Sequence, residues 1–263
     1  MGMPVEIHIV SEDAGTALEE AFAHLVMVDE RFSTYKEESE ISRINRGELA
    51  PPDARPVRDK DSSSPGRLSV GVSNGASAEM QEVFALADKT KRETDGYFDI
   101  RRPDGTIDPS GIVKGWAIKN AAARIRAAGH ENYFVNAGGD IAMHGTNEEG
   151  KPWSIGIQNP FKSGEIVKVV YPGNKGIATS GSYLRGAHIY NPHAPEDELG
   201  DVVSLTVIGP DVLEADRFAT AAFAMGKSGI EFVERLPGFE AYVIDARGKA
   251  SMTTGFAAYT HPD

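Results

Sequence analysis

The chain contains no cysteine, so disulfides, thiolate metal ligands and cysteine nucleophiles are excluded from its chemistry. It also lacks an excess of positive charge. Lysine and arginine number 27 against 39 aspartates and glutamates, a net charge of −12. That balance argues against general nucleic-acid binding, which leaves a basic face as its footprint, although a local basic pocket for an anionic ligand remains open. There is no apolar run of about 18 residues, so no membrane span is expected. The N-terminus has no basic leader segment and alternates like a strand, which reads as a cytoplasmic chain rather than one with a signal peptide. The seven histidines show no metal-ligand spacing, which argues against zinc. A G-x-G-x-x-G fingerprint opening a helix is likewise missing, so a dinucleotide-binding Rossmann unit fails on context.

What is present suits one α+β domain over 1–263 with a real core, since 40% of the residues are hydrophobic. Residues 4–10 alternate as a first strand. Helices are expected over 13–31, 76–94, from Ser110 to the stop at Gly129, and over 211–226 and 228–235. Short strands are expected at 133–136, 141–144, 153–158, 167–171, 187–190, 202–208 and 240–245. Runs of neighbouring strands favour a mixed, mostly antiparallel sheet packed with helices. The stretch near 47–68, rich in proline, serine and aspartate, reads as a flexible surface insertion.

Four groups of residues carry candidate chemistry. In Asp108-Pro109-Ser110-Gly111-Ile112-Val113-Lys114, a serine N-cap, an open glycine backbone and a lysine one turn in would suit a phosphate at a helix mouth. A plain junction with a solvated lysine fits the same spacing. Asp216 and Thr220 stand four apart on one helical face, which offers oxygen ligands to Mg²⁺ or merely a dipole-favoured Asp and a back-bonded Thr. His188 follows the glycine- and serine-rich turn 179–183 and can act as a general base or sit as a half-buried imidazole. Tyr35, Tyr97 and Phe98 lie beside turns, placed either to stack on an aromatic ligand or to fill the core.

The order of these segments resembles that of the ApbE family of flavin transferases. The likeness runs collinearly from about residue 1 to 236. It takes in Phe32–Tyr35, Ser39–Asn45, Gly96–Asp99, Asp108–Ala117, Asn136–Asp140, Trp153–Pro160, Thr179–Tyr183, His188–Pro192 and Ala215–Thr220. The resemblance implies Mg²⁺-dependent transfer of the FMN half of FAD onto a Ser or Thr of an acceptor flavoprotein, with release of AMP. It implies an FAD site lined by Met1, Tyr35, Tyr97, Phe98, Asp99 and Asp108, with Lys114 facing the pyrophosphate. It further implies Mg²⁺ held by Asp216, Thr220 and the Gly111 carbonyl, and His188 as base. An FAD pyrophosphatase giving FMN and AMP, or a non-catalytic FAD-binding protein, are the competing readings. The chain departs from the family pattern where only Ile100–Ile107 separate its Phe-Asp and Asp-x-Ser-Gly segments, and at Met3, Ser182 and Asn191.

Overall fold

In the computed structural model, residues 2–52, 75–181 and 189–261 are described. Strand β1 (Val5–Ile9) leads into helix α1 (Gly15–Phe32), a short α2 (Glu40–Asn45), α3 (Ala78–Glu93) and α4 (Ser110–Ala127). Six strands follow: β2 (Tyr133–Ala137), β3 (Asp140–His144), β4 (Ile155–Gln158), β5 (Ile166–Val170), β6 (Gly176–Gly181) and β7 (Val202–Gly209). Helices α5 (Val212–Ala224) and α6 (Gly229–Glu234), then β8 (Glu240–Asp245) and β9 (Ala250–Met252), complete the order. Seven strands form one sheet in the order β1-β2-β3-β6-β7-β8-β9, and β4-β5 form a separate hairpin. Every pairing between described strands is antiparallel, and β2-β3, β4-β5 and β8-β9 are hairpins.

One face of the sheet carries the helices. Helix α4 is central and its first half is buried on almost all sides: Ile112, Val113, Trp116 and Ile118 are buried, and so is Lys114. That half shows no polar stripe, and the charge it carries must find a partner inside, whereas Lys119, Arg124 and Arg126 of the second half reach solvent. Helix α5 packs on β6 and β7 through Ala215, Phe218, Ala219, Ala222 and Phe223, and on α4 through Val212, Leu213 and Ala221. The opposite face is covered by the β4-β5 hairpin and a 3₁₀ turn at Phe256–Thr260, with Trp153, Ile157, Ile208, Tyr242 and Phe256 forming the core there.

Three local expectations change. The glycine- and serine-rich segment around Thr179 is strand, not turn: β6 pairs with β7 from Gly176 through Gly181, and α5 starts so close to it that a Cβ on Gly176 would lie 2.0 Å from the Val212 nitrogen. The N-cap of α4 is Pro109, not Ser110; the Asp108 carboxylate accepts the Ser110 N–H at 3.0 Å in its place. Ile189 and Tyr190 are irregular rather than strand, while 187 and 188 lie outside the described residues, as does most of the 47–68 stretch.

Candidate active site

The tight β2-β3 hairpin begins the site. Gly138 and Gly139 both take positive φ, 61° and 96°, as a two-residue turn of this hand demands, and Asn136 Oδ1 accepts the Gly139 N–H at 3.0 Å. The turn delivers Asp140 to the first position of β3, fully buried, where its Oδ1 accepts the Thr179 N–H of β6 at 3.1 Å. From the other side α4 brings Lys114, whose Nζ lies 2.6 Å from Asp140 Oδ2 and 3.9 Å from Asp216 Oδ1. Asp216, on α5, also accepts the Gly115 N–H at 2.7 Å. Burial, and then the neighbouring Asp140 carboxylate, push the Asp216 carboxyl well above the usual carboxylate range, against the pull of Lys114. One ammonium therefore faces two buried carboxylates. When Asp216 ionises the cluster carries one negative charge in excess, which a bound cation would offset.

Thr220, one helical turn beyond Asp216, donates its hydroxyl to the Gly111 carbonyl at 3.3 Å, which brings these three residues together across the α4–α5 contact. This excludes the local reading in which Thr220 bonds its own helix. A carboxylate, a hydroxyl and a carbonyl are hard oxygen donors of the kind Mg²⁺ accepts when waters and phosphates complete its shell. Among the described residues no group of three or more His, Asp or Glu side chains is placed to hold a metal ion.

Two cavities meet over the start of α4. The first is lined by Tyr97, Phe98, Asp99, Gly111, Asp216 and Thr220, together with Thr179 and Tyr190. The second, about 400 Å³, is lined by Met3, Phe32, Thr34, Tyr35 and Val113. Arg102, Asp108, Ser110 and Lys114 line both. Nine of the eleven expected site residues thus line this double cavity: Tyr35, Tyr97, Phe98, Asp99, Asp108, Gly111, Lys114, Asp216 and Thr220. Tyr35 is 94% exposed, an open aromatic face. Asp99 is held by Lys91 at 2.6 Å, and Phe98 is largely core. Met1 and His188 lie outside the described residues.

Sequence reasoning assigned no role to Asp140 or Arg102. Asp140 was visible only as the last residue of a Gly-Gly turn, and nothing in its spacing ties it to residues 114 and 216. Lys114, expected to face a phosphate at the helix mouth, lines both cavities with its side chain 9% exposed and its Nζ 2.6 Å from Asp140.

The family model for the ApbE family matches residues 1–102 and 100–243. The chain belongs to the ApbE family. A Vibrio cholerae protein named FAD:protein FMN transferase is 28% identical over 82% of this chain and 75% of its own length. A Haemophilus influenzae protein of the same name is 26% identical over 92% of this chain and 82% of its own length. An Escherichia coli K12 relative, again of that name, is 32% identical over 60% of this chain, and the match spans about half of that relative, 47%. Among solved structures, the flavin transferase ApbE from Vibrio cholerae superposes with a TM-score of 0.79 at 24% identity, covering 98% of this chain and 96% of that one. The ApbE protein from Thermotoga maritima gives 0.79 at 22% identity, covering 99% and 96%. These likenesses establish the α+β fold of an ApbE protein. No helix among the described residues is long and apolar enough to cross a membrane.

Proposed function

We propose that this flavin transferase of the ApbE family uses FAD as donor and Mg²⁺ as cofactor, and moves FMN onto a Ser or Thr hydroxyl of an acceptor flavoprotein. The observation that carries the reading is the convergence of Asp216, Thr220, the Gly111 carbonyl and Lys114 where two cavities meet, each cavity bordered by aromatic side chains. A dinucleotide has two ring systems joined by a diphosphate, and that is the shape such a double cavity accommodates.

In the reaction the acceptor hydroxyl oxygen attacks the FMN-side phosphorus. A new P–O bond forms, the bond to the AMP phosphate oxygen breaks, and AMP leaves with that electron pair. The hydroxyl proton passes to a base, the role the family resemblance gives to His188. Asp216, Thr220 and the Gly111 carbonyl would hold Mg²⁺, which when bound neutralises charge on phosphoryl oxygens and on the leaving group. Lys114 keeps an ionised Asp216 from being an isolated buried charge, against the repulsion of Asp140. The Gly115 N–H fixes the orientation of the Asp216 carboxylate. Tyr35 and Tyr97 offer ring faces to the two ends of the donor.

The test is AMP release from FAD with Mg²⁺, with and without an acceptor domain, while covalent flavin is followed by in-gel fluorescence. Protein-bound flavin rising together with AMP supports the transferase. AMP and free FMN appearing regardless of acceptor assign a pyrophosphatase, and AMP in neither tube assigns a non-catalytic FAD-binding protein.

A further inference from the structure

Lys114 is spent on the interior, which leaves open what meets the negative charge of the donor on the solvent side. Of the described residues lining the two cavities, only Arg102 and Lys114 are cationic. The Lys114 side chain is 9% exposed and already faces two carboxylates, whereas that of Arg102 is 38% exposed. The helix mouth itself is partly neutralised, because the Asp108 carboxylate occupies the Ser110 N–H. Arg102 pairs through Nη2 with the other oxygen of Asp108 and borders both cavities, so it sits at their seam.

Its position is fixed by a small hairpin. The Arg102 N–H donates to the Thr106 carbonyl at 2.8 Å, the Gly105 N–H returns to the Arg102 carbonyl at 3.0 Å, and Gly105 has φ +85°. Arg101 and Ile107 form the bridge below it. Asn45 of α2 clamps Ile107 at both its N–H (2.8 Å) and its carbonyl (2.9 Å). A guanidinium has five donors in a planar fork, and the Asp108 pair leaves others free to take phosphate oxygens.

From this geometry we infer that Arg102 is the side chain that grips the diphosphate of the donor, and that it makes the site select a dinucleotide over a bare flavin. The inference rests on the FAD reading above and adds its specificity-determining contact. The pair with Asp108 holds the guanidinium over the seam before the ligand arrives, so little side-chain ordering remains to be done on binding.

The test is equilibrium binding in EDTA, where no turnover occurs, with FAD and riboflavin as probes read by flavin fluorescence, and with ADP and adenosine as competitors. In the unaltered protein FAD binds more tightly than riboflavin, and ADP competes better than adenosine. Arg102→Ala lowers both preferences by about tenfold or more while riboflavin binding stays unchanged, and Arg102→Lys restores part of them. The inference is overturned if Arg102→Ala leaves the FAD-to-riboflavin ratio within about twofold, or weakens the two flavins equally, as a purely structural arginine would. If the unaltered protein binds riboflavin but shows no preference for FAD, Arg102 has no diphosphate to hold and the inference fails alone. If it binds neither flavin, the FAD reading itself falls.

Discussion

Gly115 donates its backbone N–H to Asp216 at 2.7 Å, helix to helix, with no room for a side chain between them. A Cβ on Gly115 would lie 2.8 Å from the Asp216 Cβ and 2.9 Å from both the Leu213 Cα and the Val212 carbonyl oxygen. Two of those three atoms are backbone, so α5 as a whole would have to move. Gly115→Ala is therefore expected to cost about 1–3 kcal/mol in urea unfolding despite the better helix propensity of alanine. Its effect on AMP release should be larger than its effect on stability, because the shift separates Asp216 and Thr220 from Gly111. Full activity at reduced stability would detach this contact from catalysis.

Asp216 titrates against burial and against Asp140. Its folded value is raised above that of the unfolded chain, so the native state favours the protonated form. The associated stability is present at low pH and is lost as pH rises through the raised value. Without Mg²⁺, thermal stability should decline as pH rises from the ordinary carboxylate range to about 8 and level off above it, and Asp216→Asn should flatten that decline while abolishing AMP release. Calorimetry in EDTA across pH checks the first part. An unchanged profile in the variant would assign the decline to other groups.

His24 has the opposite sign. It is buried on α1 with its ring 5.8 Å from Trp116, and burial, followed by the charge of Arg124, lowers its pKa from 6.5 to about 4. The neutral ring belongs to the folded state. Its contribution is complete above the unfolded value and is lost as pH falls from about 6.5 toward 4, at most about 3 kcal/mol. His24→Leu should remove this acid-sensitive step from urea midpoints measured between those pH values. If the variant keeps the step, the acid loss lies elsewhere.

Arg217 follows Asp216 in sequence but points away from the site. Buried, it bonds Thr90 at 3.3 Å and pairs with Glu93 and Glu214 at 2.5 Å each, with its guanidinium 4.0 Å from the Phe218 ring centre. The cluster ties α5 to the end of α3, just before the turn that carries Tyr97 and Phe98. Arg217→Met should lower stability by about 1–3 kcal/mol, less than a fully buried pair would, since both glutamates are partly solvated. Chemical denaturation of Arg217→Met and Arg217→Lys measures this, and equal stability of all three proteins would make the cluster a bystander.

The long amphipathic helices and the strands flanked by glycine or proline were readable from periodicity, as α1, α3, β1 and β2 illustrate. Three elements were not. Helix α2 is only six residues and depends on the Ser39 cap, whose hydroxyl accepts the Ser42 N–H at 3.1 Å. Strand β9 is three exposed residues at the sheet edge, too short to alternate. Strand β6 hides behind Gly, Ala, Thr and Ser because small residues are what the close approach of α5 permits, and composition alone assigns those residues to a turn.

The sequence by itself determined the order of segments, the helix that opens after Asp108, the four-residue spacing that puts Asp216 and Thr220 on one face, and the paired glycines of the β2-β3 turn. These are local properties, set by backbone sterics and helical or strand period within a few residues. Only the tertiary structure decided that Lys114 turns inward to Asp140, that Gly111 meets Thr220, and that Arg102 stands at the seam of two cavities. The partners in those contacts lie between 6 and 109 residues apart. Their energies depend on distance and on exclusion of water, and neither quantity exists along the chain until the sheet and α5 have closed over α4.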